Sequence, residues 1–402
     1  MNVLFFTIAN ADLDDRNAIY GGLLRFFIEQ GHHVYIVSAL ERKYLRKTYI
    51  ERSDSYEHLF VRTPNLFQTS NVEKGLAYLS LERLYRRAIV KYWKDRSFDL
   101  ILYSTPPPIF GRLVRWSKRK WPKAISYMML KDIFPQNAVD LGMLSPRGLA
   151  YKIFKRKEVG AMQASDYIGC MSPANVAYVK SHYPAIDPSR VELCPNTTFP
   201  TKLQLDNPDR EAIRSEYKLP QDVVTFIYGG NLGKPQGIPH LLDCMKACRD
   251  KACYFVIIGR GTEFERVKDF LVREQIHNAK LLSYLPSEQY NKLVEACDVG
   301  LICLDNRFTF PNFPSRLLSY QRIGLPVMAV TDKVSDVGLI AEENGFGKWC
   351  PADSVMAFAE AVDSFIEHKE LLPSWGARGH QYMLDHYTHE VAYNAIVSHF
   401  KD

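Results

Sequence analysis

Short apolar runs alternate with segments of helical spacing along most of the chain. In the first half, the apolar runs at 3–7 and 33–38 enclose a helical segment at 23–30. Continuous apolar runs are typical of strands that are buried on both faces, so this alternation predicts βαβ units and a parallel sheet. Four more strands are predicted in this half, at 98–103, 125–130, 167–171 and 191–194.

The pattern changes over 196–222, which is polar and contains Pro200, Pro208 and Pro220, and we interpret this segment as an interdomain linker. A second alternating series follows it. We therefore expect an α/β protein with two tandem Rossmann-like domains, residues 1–200 and 201–374. The second domain has predicted strands at 223–228, 254–258, 280–283, 299–304 and 326–330, and predicted helices at 238–249, 263–274, 287–296, 315–323 and 353–368.

A glycine-rich loop, Gly-Asn-Leu-Gly-Lys-Pro-Gln-Gly at 230–237, joins the first strand and the first helix of the second domain. Gly230 and Gly233 would let the backbone approach a ligand, and the free amides and dipole of the following helix favour an anion. Lys234 adds a positive charge, but Pro235 stands where a Walker A loop needs Ser or Thr to hold magnesium. We predict a ligand with phosphates, although glycines after strands are common in any α/β protein.

The loop before the helix at 315–323 offers a second anion site. Ser315 would be the N-cap or a first-turn residue, and Arg316 would present a bidentate guanidinium at the start of the helix. Together with Lys234, this arrangement suits a diphosphate. Arg260 follows the strand at 254–258, and it is equally well explained as a solvated side chain.

The composition is that of a chain that buries a large core. Of its 402 residues 47% are hydrophobic, and its eight cysteines include no Cys-x-x-Cys pair, as expected of a reduced cytosolic protein. The apolar run at 4–8 lacks the basic leader of a signal peptide, and no apolar stretch reaches the roughly 20 residues that span a bilayer. Residues 1–200 contain 29 Lys and Arg against 18 Asp and Glu, whereas the remainder contains 22 against 27. The basic first half is therefore expected to meet an anionic surface.

Three basic segments of the first half, at 81–94, 112–123 and 151–157, also contain aromatic residues. Basic amphipathic stretches of this kind lie on anionic bilayers, but each one alone is better explained as a solvated helix face. Their occurrence together favours a peripheral membrane protein. The chain has no helix-turn-helix, zinc-finger or RNA-binding signature, so a nucleic-acid partner is not expected.

Ordered motifs over nearly the whole chain resemble those of family 4 retaining glycosyltransferases, which have the GT-B fold. They are most similar to bacterial members that build O-antigen or capsule repeat units on a lipid carrier. In the first half the motifs are Gly21-Gly22, Ser104-Thr-Pro-Pro-Pro, Lys131-Asp-Ile-Phe-Pro and Ser172-Pro-Ala. In the second half they are Tyr228-Gly-Gly-Asn-Leu-Gly-Lys-Pro-Gln-Gly, Ile257-Ile-Gly-Arg-Gly-Thr-Glu, Tyr284-Leu-Pro-Ser-Glu-Gln-Tyr, Ala296-Cys-Asp-Val-Gly-Leu, Pro314-Ser-Arg-Leu-Leu-Ser-Tyr and Gly324-Leu-Pro-Val.

The resemblance implies two domains that face each other across a cleft. The first would bind the acceptor, the second would bind a nucleotide diphosphosugar, and a helical segment at about 375–402 would return to the first domain. Lys234 and Arg316 would stabilise the leaving diphosphate without a divalent metal, so neither a metal nor a cofactor is expected. The implied donor contacts are Gly21, Gly22, Gly230, Asn231, Gly233, Arg260, Leu285, Ser315, Leu317 and Ser319.

The sequence departs from the family at a pair of glutamates. When the chain is aligned on Gly324-Leu-Pro-Val, Pro311 and Ser319 stand where many members have acidic residues. The Ser319 hydroxyl would take over the ribose contact, while the contact with the transferred sugar is left unassigned. Asn231 and Gln236 stand where other members often have Arg and Lys, so Lys234 and Arg316 would carry more of the diphosphate charge.

Asp132, in the loop after the strand at 125–130, is the candidate group for the acceptor. A carboxylate there could orient or deprotonate an acceptor hydroxyl, and a helix-capping Asp is an equally good interpretation. Retention of configuration requires no protein nucleophile, and we nominate none. His386 and His389 near the C-terminus are interpreted as a packed or solvated pair rather than metal ligands.

The expected function is therefore transfer of a sugar, with retention, from a nucleotide diphosphosugar to a polyprenyl-diphosphate-linked or saccharide acceptor. A UDP-sugar, of the N-acetylhexosamine type, is the favoured donor, and the cytoplasmic face of the cell membrane is the expected location. A nucleotide-sugar 2-epimerase of the same architecture is one alternative, and it would turn over UDP-sugar without an acceptor. A catalytically silent nucleotide-sugar-binding protein is another, and it would bind the donor without transferring sugar.

Overall fold

The structure is a computed structural model that describes residues 1–203 and 209–400. The chain folds into two compact units. The first comprises Met1–Phe199 and His389–Asp402, and the second comprises Pro200–Thr388. The sequence placed the returning segment at about 375, whereas here the helix Leu372–His386 belongs to the second unit and the return follows it.

The first unit is built from eight strands and seven helices among its described residues. The strands are β1 (Asn2–Phe6), β2 (His33–Glu41), β3 (Tyr49–Arg52), β4 (Tyr56–Thr63), β5 (Leu100–Thr105), β6 (Ile125–Leu130), β7 (Tyr167–Cys170) and β8 (Val191–Leu193). The helices are α1 (Ile19–Glu29), α2 (Asn71–Tyr92), α3 (Gly111–Lys120), α4 (Gln136–Asp140), α5 (Leu149–Ala164), α6 (Pro173–His182) and, last in the chain, α15 (His389–Val397).

These strands form one sheet in the order β3-β4-β2-β1-β5-β6-β7-β8. All neighbours are parallel except β3 and β4, which pair in the antiparallel direction. The six predicted strands are present, but the sequence analysis missed β3 and β4. Two polar residues of β4, Glu57 and His58, interrupt its apolar pattern although both are buried. Glu57 accepts hydrogen bonds from Trp93 and Arg96, so its burial is compensated.

The C-terminal helix α15 completes the core of the first unit. Its residues Ala392 and Ile396 are buried in the same cluster as Val3 and Phe5 of the central strand β1. The neighbouring Tyr393 also donates or accepts a hydrogen bond of 2.8 Å with His32. The first unit therefore depends on residues from both ends of the chain.

The second unit contains six strands and eight helices among its described residues. The strands are β9 (Val224–Asn231), β10 (Cys253–Arg260), β11 (Ala279–Leu282), β12 (Val299–Cys303), β13 (Val327–Thr331) and β14 (Gly347–Pro351). The helices are α7 (Arg210–Glu216), α8 (Ile238–Ala247), α9 (Phe264–Arg273), α10 (Ser287–Glu295), α11 (Arg316–Arg322), α12 (Val337–Glu343), α13 (Val355–Glu367) and α14 (Leu372–His386).

The second sheet is wholly parallel, in the order β11-β10-β9-β12-β13-β14. Its central strand β9 is buried over Val224–Gly229, and the five strands predicted from the sequence are all present. Because parallel strands need helical crossovers, the two faces of the sheet are covered by helices, and one core cluster joins β9, β10 and β12 to α8 and α13. The expectation of two parallel-sheet, Rossmann-like domains is confirmed.

The interpretation of 196–222 as a linker was wrong over much of its length. Residues 204–208 lie outside the described part of the chain, but α7 occupies 210–216 and packs on the second unit. Its Arg214 is fully buried, and its guanidinium donates to the carbonyl oxygens of Ala296, Pro220 and Gln221 and to the Asp298 carboxylate. A seven-residue helix is too short to show a clear periodicity, and nearby prolines concealed it.

Three basic helices of the first unit, α2, α3 and α5, pack side by side. The predicted amphipathic pattern of α2 is confirmed, since Leu81 and Tyr85 are buried while Arg86, Arg87 and Lys91 are exposed. On α5, Leu149 is 73% exposed and Ile153 44%, beside the exposed Lys152 and Arg156. No helix within residues 1–203 and 209–400 combines the length and apolarity that crossing a bilayer requires.

Replacing Arg214 by Met should strongly destabilise the second unit, because one buried and two partly buried carbonyl groups lose this donor and the Asp298 carboxylate loses its fully buried partner. We expect a loss of about 3–5 kcal/mol in the free energy of unfolding, measured by urea titration of the full chain. Arg210→Met is the matched control, since Arg210 bonds the same carboxylate from a position with 34% of its side chain exposed and should cost less than about 1 kcal/mol. Equal unfolding midpoints for the two variants would contradict the assignment.

Candidate functional site

The carboxyl ends of β9, β10 and β12 lie at one edge of the second sheet. The chain adds β10 and β11 on one side of β9 and then places β12 on the other side. Ligands of open parallel sheets bind outside such a point of reversal. A cavity of about 510 Å³ lies there, lined by Gly229, Gly230, Asn231, Ile258, Gly259, Arg260, Tyr284, Leu285, Ser287, Tyr290, Ser315, Arg316 and Ser319.

Arg316, the first residue of α11, is one of two arginines that line this cavity, the other being Arg260. Its Nε donates to the carbonyl oxygen of Gly229, and its Nη2 donates to the Tyr228 hydroxyl at 3.1 Å. The guanidinium lies 4.2 Å above the Tyr228 ring. Its Nη1 is buried and has no hydrogen-bond partner among the described residues. A cation with an unused donor in a cavity wall is a ready ligand for an anion.

The glycines at the end of β9 make room for side chains of the cavity wall. A Cβ on Gly230, whose φ is +136°, would lie 2.7 Å from Arg316 Nη2. A Cβ on Gly229 would lie 2.1 Å from the Tyr290 hydroxyl. The sequence analysis expected the loop glycines to admit a ligand, whereas here they first admit Arg316 and Tyr290.

The rest of the glycine loop is a turn that uses its own amides. Over Lys234–Gln236 the backbone forms a single 3-10 turn, in which Gln236 N donates to Gly233 O and Gly237 N to Lys234 O. These two amides are therefore not free for a phosphate, whereas the expected cradle used the amides of the helix that follows, α8. Lys234 is exposed, and neither it nor Gly233 lines the cavity. Of the two predicted cations, only Arg316 is brought to it.

The start of α11 differs in detail from the prediction. Ser315 occupies the N-cap position, but its side chain makes no capping hydrogen bond, and it lines the cavity instead. Leu317 is fully buried and its amide bonds to the Pro314 carbonyl, so it belongs to the core rather than to the cavity. Ser319 lies on the same helix face as Arg316 and lines the cavity, as its expected contact with a ribose requires.

The opposite wall comes from the loops after β10 and β11. The Arg260 guanidinium lies 4.3 Å above the ring of Tyr284, which is 55% exposed. Leu285 follows directly and also lines the cavity. Arg260, for which the sequence left a solvated role open, is therefore placed in the cavity wall beside an aromatic surface.

Asp132 lies in the first unit, in the loop after β6. Its Oδ1 accepts from Ile133 N at 2.7 Å and its Oδ2 from Asn137 Nδ2 at 2.6 Å. It is not the N-cap of α4, since Pro135 occupies that position without a side-chain cap. Burial raises the pKa of Asp132 from 3.8 to about 6, although both hydrogen bonds lower it. The carboxyl group therefore titrates in the range that suits a general base.

Gly21 and Gly22 lie inside α1 of the first unit and are buried. A Cβ on Gly21 would lie 1.8 Å from the Asp12 carbonyl oxygen, and a Cβ on Gly22 2.3 Å from His389 Nε2. The space beside both glycines is thus filled by the protein itself. His389 is packed, as expected, and hydrogen-bonds the Thr197 hydroxyl and the Arg16 carbonyl oxygen.

Sequence reasoning missed the tyrosines at this site: Tyr284 and Tyr290 line the cavity, and Tyr228 contacts Arg316 behind it. In the sequence these tyrosines look like ordinary strand, loop or helix residues. The one local signal was Gly229, next to Tyr228, which indicates that another group packs closely against the backbone there. The sequence also contains an Asp-x-Asp pattern, Asp12 to Asp14, in which Asp12 accepts a hydrogen bond from the Asp14 amide. Within the part of the chain that the structure describes, no cluster of three or more His, Cys, Asp or Glu side chains is arranged to hold a metal ion.

Solved structures of GT-B glycosyltransferases have the same fold as this chain. The HepE protein of Anabaena, solved with UDP and glucose, superposes with a TM-score of 0.68 over 100% of this chain and 99% of that chain at 13% identity. The expected GT-B class of fold is confirmed by this likeness.

Sequence relatives agree with the fold. The glycosyltransferase WbjE of Pseudomonas aeruginosa is 23% identical over 325 residues, 78% of this chain and 77% of that protein. The colanic acid biosynthesis glycosyl transferase WcaI of Escherichia coli is 22% identical over 178 residues, 43% of this chain and 42% of that protein. The model of the family "Glycosyl transferases group 1" matches residues 209–382. The match to glycosyl transferases group 1 thus covers most of the second unit, and the resemblance of the motifs to those of glycosyltransferases is confirmed.

Proposed function

We propose that this glycosyltransferase moves a sugar, with retention of configuration, from a UDP-sugar to a saccharide or polyprenyl-diphosphate-linked acceptor of a bacterial surface polysaccharide. The observation that carries the proposal is Arg316, a cation that lines the cavity of the second unit with one guanidinium nitrogen unpartnered. The strongest electrostatic neighbours of Arg316 are Tyr228, Tyr320 and Cys303, none of which is charged at neutral pH.

A partly buried cation without a carboxylate neighbour is costly unless an anion arrives to pair with it. A diphosphate supplies that charge in the ground state. As the anomeric C–O bond breaks, negative charge grows on the leaving diphosphate, and a fixed guanidinium stabilises it without reorganisation. The proposal needs no divalent metal, because Arg316 stabilises the negative charge on the leaving diphosphate.

Two features support a nucleotide as the group that carries the diphosphate. The cavity continues from Arg316 to an exposed aromatic surface, Tyr284 with Arg260, which suits a planar base. Ser319 also lines the cavity and offers a hydroxyl for a ribose. We favour UDP because the Anabaena HepE structure of the same fold contains UDP and glucose. We also propose that the transferred sugar is of the N-acetylhexosamine type.

We assign Asp132 of the first unit to the acceptor. In the proposed step the acceptor hydroxyl oxygen bonds to the anomeric carbon, the bond from that carbon to the diphosphate breaks, and the hydroxyl proton passes to the Asp132 carboxylate. A carboxyl group with a pKa of about 6 is ionised at neutral pH and still basic enough to hold the proton. The resemblance to a colanic acid enzyme supports a polysaccharide product.

We further propose that the first unit docks on the anionic cytoplasmic face of the cell membrane. The support comes from α2, α3 and α5, which pack together and expose Lys and Arg with few carboxylates between them. The exposed Leu149 and Ile153 of α5 lie among these cations. Basic charge with exposed apolar side chains is the surface that binds anionic bilayers.

A transfer assay tests the function directly. Labelled UDP-sugars are incubated with a synthetic lipid-diphosphosugar, and both the lipid product and the recovered donor are analysed. Labelled lipid supports the proposal, whereas epimerised donor in the absence of acceptor would indicate a 2-epimerase. Binding of UDP with neither product would indicate a silent nucleotide-sugar-binding protein.

Arg316→Ala should weaken the binding of UDP by at least about tenfold, since a hydrogen bond to a charged group contributes about 1.5–3 kcal/mol. Lys234→Ala should weaken it less, because Lys234 is exposed and does not line the cavity. Calorimetric titration with UDP measures both. A larger effect for Lys234 than for Arg316 would refute the assignment of the cavity as the diphosphate site.

The ratio kcat/KM should rise with pH through about 6 and then level off, because the base must be deprotonated to accept the proton. Asp132→Asn should lower kcat by about 10²-fold or more and abolish this rise, while leaving the affinity for UDP unchanged. Transfer rates between pH 5 and 8 provide the measurement. Loss of UDP affinity in parallel with kcat would indicate a structural role for Asp132.

Reversing Arg86, Arg87 and Lys91 to Glu should release the protein from anionic liposomes. At about 1 kcal/mol for each basic residue near the surface, the partition should fall by at least about a hundredfold. The matched control reverses three exposed cations of the second unit, Arg266, Lys268 and Lys292. Equal release by both triple variants in a sedimentation assay with phosphatidylglycerol vesicles would argue against docking through the first unit.

A further inference from the structure

The Tyr228 hydroxyl lies close to polar atoms of three residues, although Tyr228 itself does not line the cavity. It accepts a hydrogen bond from Arg316 Nη2 at 3.1 Å, and it lies 2.8 Å from the carbonyl oxygen of Asn231 and 3.2 Å from Gln236 Oε1. Its single proton is donated to one of these two acceptors. The hydroxyl thus connects α11 to the glycine loop, although Tyr228 and Arg316 are 88 residues apart in sequence.

The Tyr228 ring holds the same guanidinium in a second way. The Arg316 Cζ lies 4.2 Å above the ring centroid, so the guanidinium stacks on the aromatic face while its edge bonds the hydroxyl of the same side chain. The Gly229 carbonyl oxygen accepts from Nε. Tyr228 itself is fully buried in the central strand β9, so these contacts are fixed to a rigid element.

These contacts leave Nη1 buried and without a hydrogen-bond partner among the described residues, in a side chain that lines the cavity. Nε and one N–H of Nη2 are already used by the protein. Burial raises the pKa of Tyr228 to about 12, although Arg316 lowers it, so the hydroxyl keeps its proton and stays a neutral partner for the guanidinium. A phenolate there would neutralise the cation and remove its affinity for an anion.

We propose that Tyr228 is a positioning residue, whose hydroxyl and ring fix the Arg316 guanidinium so that Nη1 faces the diphosphate of the donor. This inference rests on the proposed function and adds a residue and a role to it. It also gives Gln236 a function, because Gln236 lies within hydrogen-bond distance of the Tyr228 hydroxyl and so couples the glycine loop to Arg316. Other members of the family often have a lysine at the position of Gln236, and that lysine would bring charge to the phosphates. Here Gln236 supports Arg316 instead.

A double-mutant cycle separates positioning from simple core packing. UDP is titrated by calorimetry into the full chain with Tyr228→Phe, with Arg316→Ala, and with both changes. Tyr228→Phe keeps the ring and removes only the hydroxyl. It should weaken UDP binding by about three- to tenfold in the presence of Arg316 and should have no further effect in the Arg316→Ala chain.

The matched control is Thr331→Val, which removes another buried hydroxyl of the same unit. The Thr331 hydroxyl accepts from Trp349 Nε1 at 3.0 Å, and Thr331 does not line the cavity. This variant should lower the unfolding temperature without changing the affinity for UDP. If Tyr228→Phe does not fold, Gly230→Ala replaces it in the cycle, since its Cβ would push Arg316 Nη2 from its place.

Each outcome decides the inference. A weaker affinity only where Arg316 is present supports positioning. The same loss in both backgrounds, or no loss at all, overturns it while leaving the proposed function intact, provided that Arg316→Ala still weakens binding. If the wild-type chain binds neither UDP nor GDP, or if Arg316→Ala binds as tightly as the wild type, the proposed function fails and the positioning role fails with it.

Discussion

One guanidinium, which has no carboxylate beside it among the residues that the structure describes, organises the edge of the second sheet. Arg316 is held by a carbonyl oxygen, an aromatic face and a phenolic hydroxyl, all of which are neutral, and this leaves its charge uncompensated. The surrounding backbone is shaped for it, since Gly230 adopts a positive φ and has no side chain that would displace Nη2. In the proposed function, this side chain and Arg260 of the same cavity wall supply the positive charge that recognises the donor.

The sequence predicted the fold well because parallel sheets have a strong signature. Buried strands such as β1, β9 and β12 are continuous apolar runs, and helices between them show the expected spacing. Prediction from the sequence failed where polar residues are buried. The strand β4 contains Glu57 and His58, which are buried because Trp93, Arg96 and Ser38 pair with them, and no local pattern reveals such partners. Likewise, the buried Arg214 contributes to the polar sequence of α7, and this helix was therefore interpreted as part of a linker.

The candidate site was predictable in part. A strand, a glycine and a helix start are local features, so Gly230, Asn231, Ser315 and Arg316 were found from the sequence and line the cavity. Whether a neighbouring residue faces the cavity depends on the exact turn, which explains why Lys234 and Leu317 do not line it. The tyrosines depend on contacts between distant segments, and a sequence gives no measure of those. The sequence analysis selected the loop glycines because they would let a ligand approach. In the structure, Gly229 and Gly230 are needed first for the close approach of Tyr290 and Arg316.

The division of the first unit between the two ends of the chain has a consequence for its biogenesis. Ala392 and Ile396 complete a core that begins with Val3, but they are translated only after the whole of the second unit. During synthesis the second unit is therefore able to finish folding before the first, the reverse of the usual N-terminal order. Until α15 leaves the ribosome, an apolar surface of the first unit stays uncovered. A stop codon before position 389 would therefore remove part of the core of the first unit, although that unit begins at residue 1.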